Sequence, residues 1–392
     1  MKKVVVFSLE SIKNAGDQML GDTTEFLIKQ IGNFSVERKQ LQPTFKQLGF
    51  WFCLEFLFAN ALKFIALKIP SKTICYRLYN IAYHIQFLRY YHQAVKNADY
   101  VIYAVGMLKY STQNFSYLFN IINRIADKKK IPVLMSAMSI EKPNPNDWRY
   151  RQLISAVNLP CVRMITTRDG KHGLERLNQY YKKRKDIVTD YVGDPALWSP
   201  ECYRITKNKE ANEIGIGLIR TGIYEDYEKG MTSEQLYSFY KEMVSSLVAK
   251  QNMGGQRVVL FTNGMDCDMA VGKRLLNDLK LPSEMLNVAP SNARELVDMV
   301  KDFKVVFGAR LHACITSVAL GVPVSGLLWD NKLKFFSETM KISEYFTEVA
   351  VLTADNVINK INRLENFYFD IENRNVYKEK TLQSLKLFLV NN

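Results

Sequence analysis

KVVFGARLHACITSVALGVPVSGLLWDNK, residues 304–332, decides the fold class. Val305 to Phe307 are β-branched or aromatic and end at Gly308, which predicts a strand. Leu311 to Leu320 reads as a helix, and Gly321 and Pro323 supply its stop. VPVSGLL then gives a second strand. A strand, a short turn, a helix and a strand form a βαβ unit, whose two strands run parallel. Arg310 and His312 consequently lie at the carboxyl end of a strand and on the first turn of a helix.

The same rhythm extends outward in both directions. Strands are predicted near Val4–Leu9, Tyr100–Val105, Val133–Met138, Met164–Thr167 and Ile187–Val192, separated by helical stretches near Gln18–Ile31, Phe115–Lys128, Trp148–Val157 and Lys171–Tyr180. A second series starts at Ile214 with IGIGLI and continues through RVVLFT, KVVFG and VPVSGLL. The fold class is therefore α/β, with two Rossmann-like doubly wound domains facing a cleft at the carboxyl ends of their strands, where such folds bind ligands. Residues 1–198 form the first domain and 213–355 the second. The polar stretch 199–212, with Pro200 and neither period, is the expected linker. Residues 356–392 are expected to be C-terminal helices.

Residues 41–95 interrupt the pattern with an aromatic-rich helical insertion. Its apolar runs are broken by Glu55, Lys63, Lys68, Arg77 and Arg89, too often for the roughly 18 residues of a membrane span. The pattern fits a hairpin packed on the sheet and fits helices lying in a membrane surface equally well.

The chain has 392 residues, 47% of them hydrophobic, and a formal net charge of +14, so anionic partners are expected. The basic residues are spread along the chain and no nucleic-acid-binding motif occurs, which argues against nucleic acid. Six cysteines without CxxC spacing or a histidine cluster point to no metal and to reduced core thiols. MKKVVVFSLE carries too short an apolar stretch for a secretion signal and reads as a first strand, so a cytoplasmic protein is expected.

Chemistry concentrates at strand ends. Arg310 faces the free N–H groups of a helix start, an anion site by construction. His312 follows as the candidate proton donor. Lys332 closes the next strand, Arg220 follows IGIGLI, Arg168 and Asp169 follow MITT, and Lys109 follows VIYAVG. Asn14, Gly16 and Asp17 occupy a polar turn before the first helix. This set describes a place for a small, multiply charged anion.

These residues resemble the polysaccharide pyruvyl transferase family. The likeness is carried by NAGD (14–17), ADYVIYAVGMLKY (98–110), Arg168–Asp169, GDPAL (193–197) and, most strongly, RLHACITSVALGVPVSGLLWDNK (310–332). It implies a GT-B-like architecture with an acceptor side in the first domain and a donor side in the second. It also implies transfer of the pyruvyl group of phosphoenolpyruvate to two hydroxyls of a sugar, giving a cyclic ketal and phosphate, with no further cofactor. His312 and Arg310 are then catalytic, and Arg220, Arg310, Lys332 and Arg168 hold the donor. Asn14, Asp17, Lys109 and Asp169 hold the acceptor, a sugar of exopolysaccharide or capsule synthesis carried on a lipid, with a membrane surface as a further partner. Two other functions suit the same cations: a glycosyltransferase using a nucleotide sugar, and a non-catalytic glycan-binding protein.

Overall fold

A computed structural model describes residues 1–10, 13–44, 53–111, 114–227, 230–364, 367 and 369–392. The chain divides by its contacts into two units: Met1–Ser11, Thr24–Gly193 and Lys380–Asn392 form the first, and Ile12–Thr23 and Asp194–Glu379 the second.

The first unit holds strands β1 (Lys3–Ser8), β2 (Ser35–Gln40), β3 (Tyr100–Ala104), β4 (Met107–Leu108), β5 (Val133–Ile140), β6 (Val162–Thr167) and β7 (Val188–Tyr191). All are parallel, in the order β2-β1-β3-β5-β6-β7, and β4 pairs with β5. Strands covered on both faces need apolar residues at every position, which is why β1 is buried from Val4 to Ser8. Its helices are the later part of α1 (Ala15–Ile31), then α2 (Cys53–Leu67), α3 (Lys72–Ala94), α4 (Phe115–Lys128), α5 (Trp148–Val157) and α6 (Gly170–Arg176). The ring of Tyr103 lies 4.8 Å from Phe119 and 5.8 Å from Phe7. Its hydroxyl donates to Asn123 Oδ1 (2.7 Å), whose amide donates to the Ala156 carbonyl (2.9 Å), so these two buried polar side chains are paired with each other and with the backbone.

The helical insertion is the α2–α3 pair. Tyr83, Phe87 and Tyr91 recur every four residues along α3 and are buried. Tyr83 stacks on Tyr117 of α4 at 5.1 Å, which seats this face on the unit.

The second unit holds β8 (Glu213–Gly217), β9 (Arg257–Phe261), β10 (Phe303–Gly308), β11 (Val324–Leu327) and β12 (Phe346–Thr347), parallel in the order β12-β11-β10-β8-β9. Its helices are α7 (Ser199–Tyr203), α8 (Ile223–Asp226), α9 (Ser233–Asn252), α10 (Asp266–Leu279), α11 (Ala293–Val300), α12 (Leu311–Leu320), α13 (Asn331–Thr339), α14 (Ala354–Arg363) and the start of α15 (Ile371–Asn391), whose later part belongs to the first unit. Both sheets are wound alike: the second strand lies on one side of the first, and the third on the other. The winding direction reverses between β1 and β3 and again between β8 and β10, and such reversals are where α/β sheets bind ligands. A Cβ on Gly308 would sit 2.6 Å from Cys314 Sγ, so glycine at the end of β10 lets α12 settle on the sheet.

Two expectations are revised. The stretch 199–212 is built into the second unit, with α7 at its start and Tyr203 and Ile205 in the core. The NAGD turn, expected with the first domain, packs with the second. Ala15 N–H donates to the Asn263 carbonyl (2.9 Å), Met19 joins that core, and Tyr203 donates to Asp22 (2.5 Å). The last helical residues return to the first unit, where Tyr100 donates to the Leu389 carbonyl (3.1 Å) and Leu385 and Phe388 are buried. Cys75, Cys161, Cys202, Cys267 and Cys314 are unbridged.

Candidate active site

Four strands of the second unit end on one side of their sheet, and their following loops carry the site. Arg220 comes three residues after β8 and Arg310 two after β10, the two strands at the winding reversal. They meet on Asp268, in the first turn of α10, which follows β9. A carboxylate there is favoured by the positive end of the helix dipole. Asp268 is fully buried and takes two hydrogen bonds from Arg310, Nε to Oδ2 at 2.8 Å and Nη2 to Oδ1 at 2.7 Å, and a third from the Arg220 backbone N–H at 2.9 Å. Two of the five guanidinium N–H donors of Arg310 are thereby used, and the orientation of the rest is fixed.

Arg220 and Lys332 are each paired with a nearby aspartate. The Arg220 side chain pairs with Asp226, which is 53% exposed. Lys332 Nζ lies 3.5 Å from Asp330 Oδ2, and Asp330 also caps α13 by accepting from the Lys332 N–H. An exposed pair such as Arg220–Asp226 is worth about 0–1 kcal/mol, so Arg220 can turn to an incoming anion at little cost, whereas Lys332 and Asp330 are largely buried. Trp329 Nε1–H donates to the Ala309 carbonyl (2.6 Å), tying the loop after β11 to the loop after β10. Tyr227 packs edge-on against Trp329 at 5.2 Å. Burial and then Asp330 push its phenol upward, while Arg220 and Arg310 pull it down, which places Tyr227 among these charges. Asp330 also lines a cavity of about 490 Å³, together with Asn331, Lys334 and Glu348; Arg220, Arg310 and His312 do not line it.

His312 is the second residue of α12 and is 7% exposed. Its Nε2 lies 4.0 Å from Asp194 Oδ2, and Asp194 is itself held by accepting from the Ala196 N–H (2.8 Å). On its other side the imidazole meets the NAGD turn: a Cβ on Gly16 would stand 2.2 Å from His312 Nδ1. Only glycine admits the ring this close. Asn14 accepts from the Gly16 N–H (3.2 Å) and donates to Asp17 (3.0 Å), an arrangement that caps α1 and fixes the turn against His312. Asn14 and Asp17 are half-buried and stand in the same unit as the histidine.

Lys109, Arg168 and Asp169 belong to the first unit. Lys109 and Arg168 are half-buried, just beyond β4 and β6. Asp169, expected to touch an acceptor, is instead 3% exposed: its carboxylate accepts from Ser139 Oγ (2.9 and 3.0 Å) and from the Ile140 N–H (2.7 Å). It ties the end of β5 to the end of β6. Sequence reasoning assigned no role to Asp268, Asp194 or Tyr227. Asp194 stands in the quoted GDPAL motif, whereas Asp268 and Tyr227 lie in stretches with no chemical motif.

The polysaccharide pyruvyl transferase family profile matches residues 14–331. The chain belongs to this family. The matched span contains every site residue expected from the sequence except Lys332. No curated protein sequence matches the chain. Among solved structures, the UDP-GlcNAc 2-epimerase of Methanocaldococcus jannaschii is similar, with a TM-score of 0.60 at 12% identity over 100% of both chains. The enzyme of that name from Neisseria meningitidis, bound to UDP-GlcNAc, gives 0.56 at 12% identity, again over 100% of both chains. A putative UDP-N-acetylglucosamine 2-epimerase from Listeria monocytogenes gives 0.58 at 11%, covering 100% of this chain and 97% of its own. These likenesses establish a GT-B-like fold for this member of the family.

Proposed function

We propose that the protein transfers the pyruvyl group of phosphoenolpyruvate to two hydroxyls of one sugar in a polysaccharide or its lipid-linked precursor. The family match carries this reading, and the chemistry of the second unit suits it. Phosphoenolpyruvate brings a phosphate and a carboxylate. Arg310, locked by Asp268, offers a fixed donor edge to one of them, and Arg220, turning from Asp226, and Lys332 meet the other charges.

The proposed reaction begins with His312 giving its proton to the methylene carbon, which becomes the methyl group of the product while positive charge develops at the carbon bearing phosphate. A sugar hydroxyl forms the first C–O bond there and returns a proton to the imidazole. The C–O bond to phosphate then breaks, the second hydroxyl closes the ketal, and its proton leaves with phosphate. Asp194, whose Oδ2 lies 4.0 Å from Nε2, acts as a positioning residue for the imidazole. Asn14 and Asp17, which share the unit of His312, are assigned to the acceptor.

The test is incubation with phosphoenolpyruvate and synthetic sugar acceptors, following phosphate and identifying the product by mass and NMR. A sugar heavier by one pyruvyl ketal supports the proposal. No phosphate release with any acceptor, together with tight binding of a nucleoside diphosphate, overturns it in favour of glycosyl transfer.

A further inference from the structure

The α2–α3 hairpin has one face more than its packing needs. Its inner side is satisfied: Ala59 and Ala66 of α2 and Tyr83 and Phe87 of α3 are buried. An amphipathic helix requires only one such face, and the outer side should then be polar. It is apolar instead. Leu54, Leu57, Phe58, Phe64 and Ile65 follow helical spacing on α2 and are all more than half exposed, Leu54 to 80%. On α3, Ile74, Ile81 and Leu88 recur every seventh residue and are exposed as well. A continuous apolar face of this kind on a protein surface marks an interaction site.

Charge identifies the occupant. Lys68 and Lys72 are exposed at the turn between the helices, and Arg77 and Arg89 are exposed along α3. The sole acid between residues 53 and 94 is Glu55, which is half-buried. A second copy of the chain is a poor partner, because a two-fold contact sets this face against itself and brings cations together with no carboxylate to meet them. Lipid phosphates supply the missing anions, and acyl chains accept the leucine and phenylalanine side chains. Insertion is shallow: α2 has 15 residues, and among the described residues no helix is long and apolar enough to cross a membrane.

We infer that the outer face of the α2–α3 hairpin docks the protein in the plane of an anionic lipid surface. This rests on the hairpin alone and holds whatever group the second unit transfers.

Flotation of the full chain with vesicles of phosphatidylcholine, with and without phosphatidylglycerol, tests it. The wild type should float with the anionic vesicles about tenfold more than with the neutral ones, and less in high salt. Leu57→Gln, Phe58→Gln and Phe64→Gln together should lower flotation by about tenfold or more while melting and circular dichroism stay unchanged, since all three side chains are exposed. Lys68→Gln, Lys72→Gln and Arg77→Gln together should abolish the preference for phosphatidylglycerol. The inference is overturned if the wild type stays unbound with both vesicles, or if the glutamine triple variant of α2 floats like the wild type. A concentration-dependent dimer that this triple variant dissolves, without vesicle binding, also overturns it and assigns the face to self-association.

Discussion

Changing Asp268 to Asn removes one charge and almost no volume from a fully buried position. Two hydrogen bonds from Arg310, at 2.7 and 2.8 Å, and one from the Arg220 N–H end on this carboxylate. Asn keeps one acceptor oxygen but turns an NH₂ toward the guanidinium, so the Arg310 charge, at 15% side-chain exposure, loses its counter-ion. Breaking a buried pair costs about 3–5 kcal/mol. The residual exposure of Arg310 favours the lower end, about 3 kcal/mol, and at about 2–4 °C per kcal/mol the second unit should melt about 6–12 °C lower. Adding Arg310→Met removes the stranded charge and should return about 2 kcal/mol, because an apolar replacement of a buried ion costs less than a broken pair. Affinity for phosphoenolpyruvate behaves differently: Asp268→Asn should weaken it by about tenfold, and the double variant should not recover it, since the donor edge is then gone. Calorimetry of the four proteins of this cycle, with titration of phosphoenolpyruvate into each, measures both. Strictly additive losses of stability, or full ligand affinity in Asp268→Asn, would refute the role given to this carboxylate.

Gly16→Ala should displace the His312 imidazole, because the new methyl group would stand 2.2 Å from Nδ1; a loss of about a hundredfold in turnover with an unchanged circular dichroism spectrum is the expected result. His312→Gln should lower turnover by about 10²–10⁴-fold, and the wild-type decline in rate as rising pH deprotonates the imidazolium should vanish from its pH profile. Lys63 gives a pH signature in the first unit. Burial lowers its pKa from 10.5 to about 8, so below pH 8 the fold carries the cost of a desolvated ammonium, and stability should rise between pH 8 and 10.5, where the unfolded chain holds the extra proton. Lys63→Met should therefore raise the melting temperature below pH 8, with a gain that shrinks toward pH 10.5.

Periodicity made α4, α5 and α12 legible to the residue, because each is an unbroken amphipathic or buried run with a clear stop. It missed β2, whose sequence SVERKQ is polar, since an edge strand of half-buried residues has no need of an apolar run. It missed β12 because two residues carry no period. The placement of Arg220, Arg310, His312 and Lys332 at strand ends followed from local pattern. Asp268 did not, since it is 42 residues from Arg310 and becomes significant only when β9 is laid beside β8. The docking of the NAGD turn on His312 is equally non-local. Its cue, a glycine at the start of a helix, reads as ordinary flexibility until the ring it admits is known.

The route of the chain through its units governs how such a protein can be cut and recombined. The first unit is assembled from three stretches of sequence and the second from two. A chimera that exchanges everything after Gly193 would bring foreign residues to Tyr100 and leave the native NAGD turn against a foreign histidine. Exchange of donor specificity between relatives would have to carry residues 12–23 along with 194–379, so recombination in this fold should favour substitutions at the strand-end loops over transfer of whole halves.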